Sequence, residues 1–490
     1  MSAESHSFKP TLGLMDATMI VAGSMIGSGI FIVSADIVRN VGGAGWLILI
    51  WLITGFMTLT AAVSYGELSG MFPKAGGQYV YLKEAYNPLV SFLYGWSLFA
   101  VIQTGTIAAV GVAFSKYAAY LIPAFSEDNY IVRIQTGVNV CGDPTYFSIS
   151  SAQIVSILLI GFLTYTNTRG VKGSKWIQNI FTSTKLLALF GLIIAGFIAF
   201  HPEVWHANWS AAWVATKSSL KEVCNPALGF NVKSIGGAAL FGGIAAAMVG
   251  SVFSSDAWNN VTFIAGEIKN PQKNIGLSLF LGTLIVTVIY VCANLMYVAV
   301  LPLDGIAHAE KDRIAVAASQ VIFGKSGTYI IALLIMVATF GCNNGLILSG
   351  ARVYYTMAKD KLFFKKAGTL NKNAVPQWAL WAQFLVASVL CLSGKYGDLL
   401  DMISFVVVIF YVLTILGIFI LRKKRPDLPR PYKAFGYPVL PVLYIIMGTT
   451  FCVLLIIYKP EFTWPGLIIA LLGIPLYFIA NSGSRKNQSE

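Results

Sequence analysis

The residues best able to do chemistry lie inside the most apolar stretches of the chain. The run Ala22-Gly23-Ser24-Met25-Ile26-Gly27-Ser28-Gly29-Ile30-Phe31 places three glycines and two serines within residues 23–29. An interior glycine costs a helix about 1 kcal/mol relative to alanine, so the helix is predicted to break here. In a bilayer such a break is tolerated only where it lines a cavity or is buried in protein. It would free amides at the start of a second half-helix, and such an end favours an anion such as a carboxylate. The alternative use is close packing, because Gly23 and Gly27 form a small-xxx-small pair that lets two helices touch.

A second interruption is predicted at Gly250-Ser251-Val252-Phe253-Ser254-Ser255-Asp256-Ala257-Trp258-Asn259-Asn260. An ionised side chain at mid-membrane costs about 2.5–3.5 kcal/mol on insertion scales. Three uses of Asp256 stay open: meeting an ammonium, taking a proton, or capping the second half of its own helix. Lys185, in Phe181-Thr182-Ser183-Thr184-Lys185-Leu186, lies about ten residues inside its apolar run, or about 15 Å of helix rise. That is too deep for easy snorkelling, and its ammonium can hold a fixed positive charge against carbonyls freed by the first break. Glu67 lies nearer a span end and reads as a gate or a packing residue. The four histidines (His6, His201, His206, His308) are terminal or in loops, so no metal site, acid–base dyad or cofactor is expected, and an enzyme is disfavoured. Rings of charge or a filter sequence, which a channel needs, do not occur.

The elements that must position these residues are transmembrane helices. Of 490 residues, 56% are hydrophobic and 11% charged, and the mean hydropathy is +0.71. The surplus apolar surface must face lipid. Runs of about 20 apolar residues predict an all-α fold with twelve spans: 12–39, 44–71, 87–122, 148–166, 175–200, 237–266, 274–301, 326–358, 376–394, 398–421, 437–458 and 463–480. The first is too long and glycine-rich for a cleaved leader. The two breaks fall in spans 1 and 6, and interruptions at matching places in two halves point to a membrane carrier built from inverted repeats. The organisation read from this is a tail (1–11), a first repeat (12–200), an outer loop (201–236), a second repeat (237–421), two further helices (422–480) and a tail (481–490).

The net charge is +13. Basic residues collect in alternate loops, notably Lys359–Lys372 and Arg422–Lys433, by about two to one over the intervening ones. That bias accounts for the charge without nucleic acid. It puts both termini in the cytoplasm of a multi-pass cell-membrane protein whose partner is the bilayer. Cys292, Cys342, Cys391 and Cys452 read as buried small hydrophobes. Cys141 and Cys224 fall in polar outer loops, where a disulfide or two free thiols are the alternatives.

Gly27-Ser28-Gly29-Ile30-Phe31 resembles the GSGIF signature of the amino acid–polyamine–organocation superfamily. Five further elements resemble its L-type amino acid transporter branch: Tyr65-Gly66-Glu67-Leu68 with Lys74-Ala75-Gly76-Gly77-Gln78-Tyr79, Phe181–Leu189, Trp258-Asn259, Asn344-Gly345 with Arg352, and Arg425–Pro431. The likeness runs from about residue 12 to 440. It implies a sodium-independent carrier of an L-amino acid that works by alternating access, through exchange or proton-coupled uptake. The resemblance further implies that the substrate carboxylate meets Ser24, Gly27, Ser28 and Gly29. The ammonium would meet carbonyls around Met25 and Ile26 and in Phe253-Ser254-Ser255-Asp256, with Phe253 as an aromatic gate. Lys185 matches the lysine that takes the place of a sodium ion in sodium-coupled relatives. Gln103, Thr104 and Tyr411 are placed at the pocket by helical position alone.

This sequence departs from the branch in two ways. Asp256 stands where eukaryotic members carry a small neutral residue, which leaves room for proton coupling. No clear equivalent exists of the cysteine that attaches a glycoprotein subunit, so a bacterial-type protein without that subunit is expected. The alternatives are a polyamine or amine carrier of the same fold and a non-transporting amino-acid sensor.

Overall fold

A computed structural model of the chain describes residues 10–138, 144–220, 229–393 and 396–486. Helix α1 (Leu14–Met25) begins where the Gly13 amide donates to the Asp16 carboxylate at 2.9 Å. It stops at Ile26, whose ψ of 90° leaves the helical region. A single 3₁₀ turn (Gly29–Phe31) and α2 (Ser34–Val41) carry the chain onward. The first apolar span is therefore two half-helices, as its glycines and serines predict.

An unbroken α3 (Ala44–Met71) follows, then the short α4 (Gln78–Ala85). The next span joins α5 (Pro88–Ser97) and α6 (Gln103–Leu121) through a π turn at Leu98–Ile102. Helix α7 (Ser151–Thr168) opens on a capping box between Ser150 and Gln153. It leads to α8 (Val171–Ile198), and α9 (Pro202–Ser210) lies in the following loop.

The second break separates α10 (Gly237–Ser254) from the one-turn α11 (Asn260–Phe263). Then come α12 (Pro271–Val300), α13 (Leu303–Ala307) and α14 (Ile314–Lys359), which bends at Gly324. Helices α15 (Gln377–Ser393), α16 (Tyr396–Lys424), α17 (Val439–Tyr458), α18 (Pro460–Leu471) and α19 (Gly473–Lys486) complete the chain.

Among the described residues, eight helices are long and apolar enough to cross a membrane, with further, shorter apolar helices at Leu14–Met25, Gln377–Leu392 and Thr463–Ile479. Leu187 and Ile198 of α8 are 72% and 82% exposed. Apolar exposure of that size on a long helix marks a lipid-facing side.

The loops hold more regular structure than the sequence reading expects. Strands β1 (Tyr130–Val138) and β2 (Pro144–Ser150) form one hairpin, and β3 (Thr216–Leu220) with β4 (Phe230–Ser234) form another. The first is rich in β-branched and aromatic residues, a local preference that a search for independent cores passes over. Cys141 and Cys224 lie outside the described residues, and so does their pairing.

The two faces of the bundle differ. On the face where α1 begins, Leu12 pairs in parallel with Ile268: its amide donates to the Glu267 carbonyl at 3.0 Å, and the Lys269 amide returns to Leu12 at 2.8 Å. Three charged clusters close the same face. The buried Glu67 carboxylate accepts from Arg422 at 2.9 and 2.6 Å and from the Ala434 amide at 2.8 Å, with Arg430 at 3.5 Å. Arg352 meets Glu267 at 3.1 Å, and Asp360 holds Lys83 at 2.7 Å and the Tyr79 hydroxyl at 2.9 Å. On the opposite face a cavity of about 650 Å³ opens between Asp36, Arg39, Lys116, Asp128, Asp401 and Lys459. Its deep end reaches Val33 and Gly250, where a Cβ on Gly250 would lie 2.7 Å from that of Val33.

Glu67 thus anchors the 425–434 segment beneath α3. Removing its charge leaves the Arg422 guanidinium without its carboxylate partner, and breaking a buried ion pair costs about 3 kcal/mol. Glu67→Gln is expected to lower the thermal-unfolding midpoint of the purified protein. A midpoint equal to that of the wild type would show that the cluster carries no stability.

Candidate functional site

A helix end leaves its last four carbonyls without amide partners, and in a membrane interior water cannot replace them. At the end of α1 each of these carbonyls has found a donor from another helix or a turn. The Lys185 ammonium on α8 donates to the Gly23 carbonyl and, at 2.7 Å, to that of Ile26. The Cys342 thiol on α14 donates to the Ser24 carbonyl at 3.2 Å. The Met25 carbonyl accepts from the Gly27 amide at 2.9 Å and from the Tyr290 hydroxyl on α12 at 3.0 Å. Lys185 is fully enclosed, at 1% exposure, so these carbonyls take the place of its hydration shell.

Past the break, Phe31 donates to Ser28, and Ile32 and Val33 donate to Gly29. The amides of Gly29 and Ile30 therefore open the second half-helix, the position whose donors have no intrahelical partner. The Ser24 hydroxyl nearby is buried with no hydrogen-bond partner among the described residues. A buried hydroxyl and outward-turned amides next to a fixed cation suit a carboxylate.

The second break touches the first. At Gly29 an added Cβ would meet Ser254 Oγ at 1.9 Å, its Cβ at 2.7 Å and its Cα at 3.1 Å. Tyr290 joins the two breaks as well, since its hydroxyl lies 3.0 Å from both the Met25 and the Ser254 carbonyls. Beyond Ser254 the chain turns through Ala257 at φ 62°, in the left-handed region that a residue with a Cβ adopts at some cost. Helix α11 starts at Asn260 with Asn259 before it, so Asp256 stands three residues outside the cap position. Its carboxylate instead accepts the Tyr411 hydroxyl at 2.5 Å. Tyr411 and Trp258 pack at 5.2 Å between ring centroids, and Trp258 packs on Tyr65 at 4.7 Å.

The structure gathers most of the residues singled out in the sequence. Ser24, Met25, Ile26, Gly27, Ser28 and Gly29 form the first break, and Phe253, Ser254, Ser255 and Asp256 form the start of the second; all are buried. Gln103 and Tyr411 line a small cavity beside Asp256. Thr104 does not line it: its hydroxyl satisfies the Phe99 carbonyl at 2.9 Å across the π turn, and Thr106 faces the cavity instead.

Sequence reasoning overlooked Tyr290, and it read Cys342 as a buried small hydrophobe, which it is, without the hydrogen bond its thiol makes to Ser24. A usable signal was present on α12, where Tyr290, Asn294 and Tyr297 recur at i, i+4 and i+7 and so share one face. They reach Met25, Ser34 and Ile30 in turn, at 3.0, 2.6 and 3.4 Å.

Residues 12–479 match the amino acid permease family. The chain belongs to that family. It is 28% identical over 479 residues to the human "Large neutral amino acids transporter small subunit 2", covering 96% of this chain and 81% of that one. It is also 28% identical over 489 residues to the human "b(0,+)-type amino acid transporter 1", covering 97% and 89% of the two chains. With the mouse "Asc-type amino acid transporter 1" the identity is 26% over 487 residues, with 98% and 82% covered. These relatives bear out the resemblance to the L-type branch.

The contact between the breaks generates a test. Gly29→Ala is expected to lower the melting temperature of the purified protein, and adding Ser254→Gly to regain most of the loss, because that change removes the two nearest atoms. Equal losses in the single and double variants would mean that the Ser254 side chain does not constrain Gly29.

Proposed function

We propose that this permease carries an amino acid across the membrane by alternating access and without sodium, through exchange or proton-coupled uptake. The observation that carries this reading is the Lys185 ammonium seated on the Gly23 and Ile26 carbonyls. It fills with a fixed charge the place a monovalent cation would need, and it keeps the first break open. The substrate carboxylate would then bind the amides of Gly29 and Ile30 with the hydroxyls of Ser24 and Ser28. The substrate ammonium would bind the Met25 and Ser254 carbonyls, which the Tyr290 hydroxyl bridges. Phe253 would close over the bound molecule. The relatives' printed names, all amino acid transporters, support this substrate class.

The architecture that serves this function is twelve spans, in which residues 12–200 and 237–421 form inverted repeats and two helices are appended. Matching breaks in α1–α2 and α10–α11 support the repeat. The basic loops support a cell-membrane protein with both termini cytoplasmic. The paired Leu12–Ile268 segment and the three ionic clusters would then seal the cytoplasmic side, and the 650 Å³ cavity would be the outer entrance. The reading includes no obligatory glycoprotein subunit, since every residue assigned to the site comes from this chain.

Uptake of labelled amino acids into proteoliposomes tests the reading. Replacing sodium by choline is expected to leave the wild-type rate unchanged. Lys185→Ala, which leaves the Gly23 and Ile26 carbonyls buried and unpaired, is expected to reduce uptake at least about 100-fold, since each lost charged hydrogen bond is worth about 1.5–3 kcal/mol. Sodium-driven accumulation, or full activity in a well-inserted Lys185→Ala protein, would overturn it.

A further inference from the structure

Two small cavities flank the second break, and Asp256 and Tyr411 are the residues common to both. The first, about 10 Å³, is lined by Tyr94, Gln103, Thr106 and Asn260. The second, about 20 Å³, is lined by Thr54, Thr58, Ser255 and Tyr444. A space of about 10–15 Å³ holds one water when polar groups surround it. Both cavities meet that requirement, and the first contains a buried donor, Asn260 Nδ2, with no partner among the described residues.

The carboxylate between them has no cationic partner among the described residues. The groups that face it are phenols and neutral polar side chains. Tyr94 approaches from α5, Gln103 and Thr106 from α6, Tyr411 from α16 and Tyr444 from α17. Thr54 and Thr58 approach from α3, which also packs Tyr65 against the Tyr411 ring at 6.0 Å. An ionised carboxylate at this depth is costly unless it is paired or neutralised. A lysine-like or arginine-like side chain is several times larger than the water either space admits. A proton needs no such room.

We propose that Asp256, positioned by Tyr411, is the proton-binding site of the carrier, and that substrate uptake is proton symport. This inference rests on the amino-acid transport reading and selects between its two coupling modes. A proton from the outer solution passes through cavity water to the Asp256 carboxylate, giving the neutral acid, and after reorientation it leaves to water on the other side. Ionised, Asp256 can only accept, and it ties the second break to α16 through the Tyr411 hydroxyl at 2.5 Å. Protonated, it carries a donor of its own and no longer requires that bond. The link between the broken segment and α16 is thus made or loosened by one proton.

The experiment compares wild type, Asp256→Asn and Asp256→Glu in proteoliposomes, using a labelled amino acid that the wild type exchanges. Each pH unit, inside alkaline, supports about tenfold accumulation for one proton carried. Wild type and Asp256→Glu are expected to accumulate substrate on imposing the gradient and to lose it on adding a protonophore. Asp256→Asn is expected to bring the accumulation ratio to about 1, whatever its counterflow rate, and Asp256→Glu to keep it above 1. Wild-type counterflow that is active yet indifferent to the gradient overturns the proton site and leaves the transport reading standing. Gradient-driven accumulation that persists in Asp256→Asn overturns it as well. A monodisperse wild-type protein with no amino-acid counterflow overturns the transport reading itself.

Discussion

The end of α1 leaves four carbonyls facing a medium that cannot hydrate them, and the architecture around the site follows from how that deficit is met. Lys185 supplies two donors, Cys342 one, and Tyr290 shares one with the Gly27 amide. These side chains stand on α8, α14 and α12, so the break holds three helices to one point. The arrangement has a cost: an ammonium enclosed at 1% exposure gives up its hydration, which only several well-placed carbonyls can offset. In return the Gly29 and Ile30 amides stand at the head of the second half-helix, the end that favours an anion.

The second break is a different kind of interruption. Among the described residues it contributes no fixed cation and one carboxylate, held by the Tyr411 hydroxyl, and it passes through a left-handed alanine. Its contact with the first break is the Gly29 backbone against the Ser254 side chain, with the Tyr290 hydroxyl bridging the two. A molecule that carries both a carboxylate and an ammonium is complementary to this pair of ends. One half-helix offers donors, and both offer acceptors. The ionic clusters lie on one face and the open cavity on the other, the asymmetry that alternating access requires.

Much of this was legible in the sequence, because breaks in apolar helices are expensive and so mark themselves. Gly23–Gly29 and Ser254-Ser255-Asp256 stood out by composition, and Lys185 by its depth in an apolar run. The partners of these residues were harder to read. Tyr290 lies 265 residues from Met25, and a lone phenol in an apolar span more often packs than bonds. The π turn at Leu98–Ile102 fits an extra residue into its turn, which rotates the following face. That is why Thr106 and not Thr104 reaches the cavity beside Asp256. Glu67, read as a gate or a packing residue, proves to be the anchor of a loop more than 350 residues away, with Arg422 as its main partner.

The most direct test is an experimental structure of the protein with a transported amino acid bound. Its carboxylate is expected within hydrogen-bonding distance of the Gly29 and Ile30 amides, and its ammonium on the Met25 and Ser254 carbonyls, with the Tyr290 hydroxyl displaced from one of them. Substrate density confined to the cavity around Arg39 and Asp401, with Tyr290 still bridging both carbonyls, would contradict the assignment of the site to the two breaks.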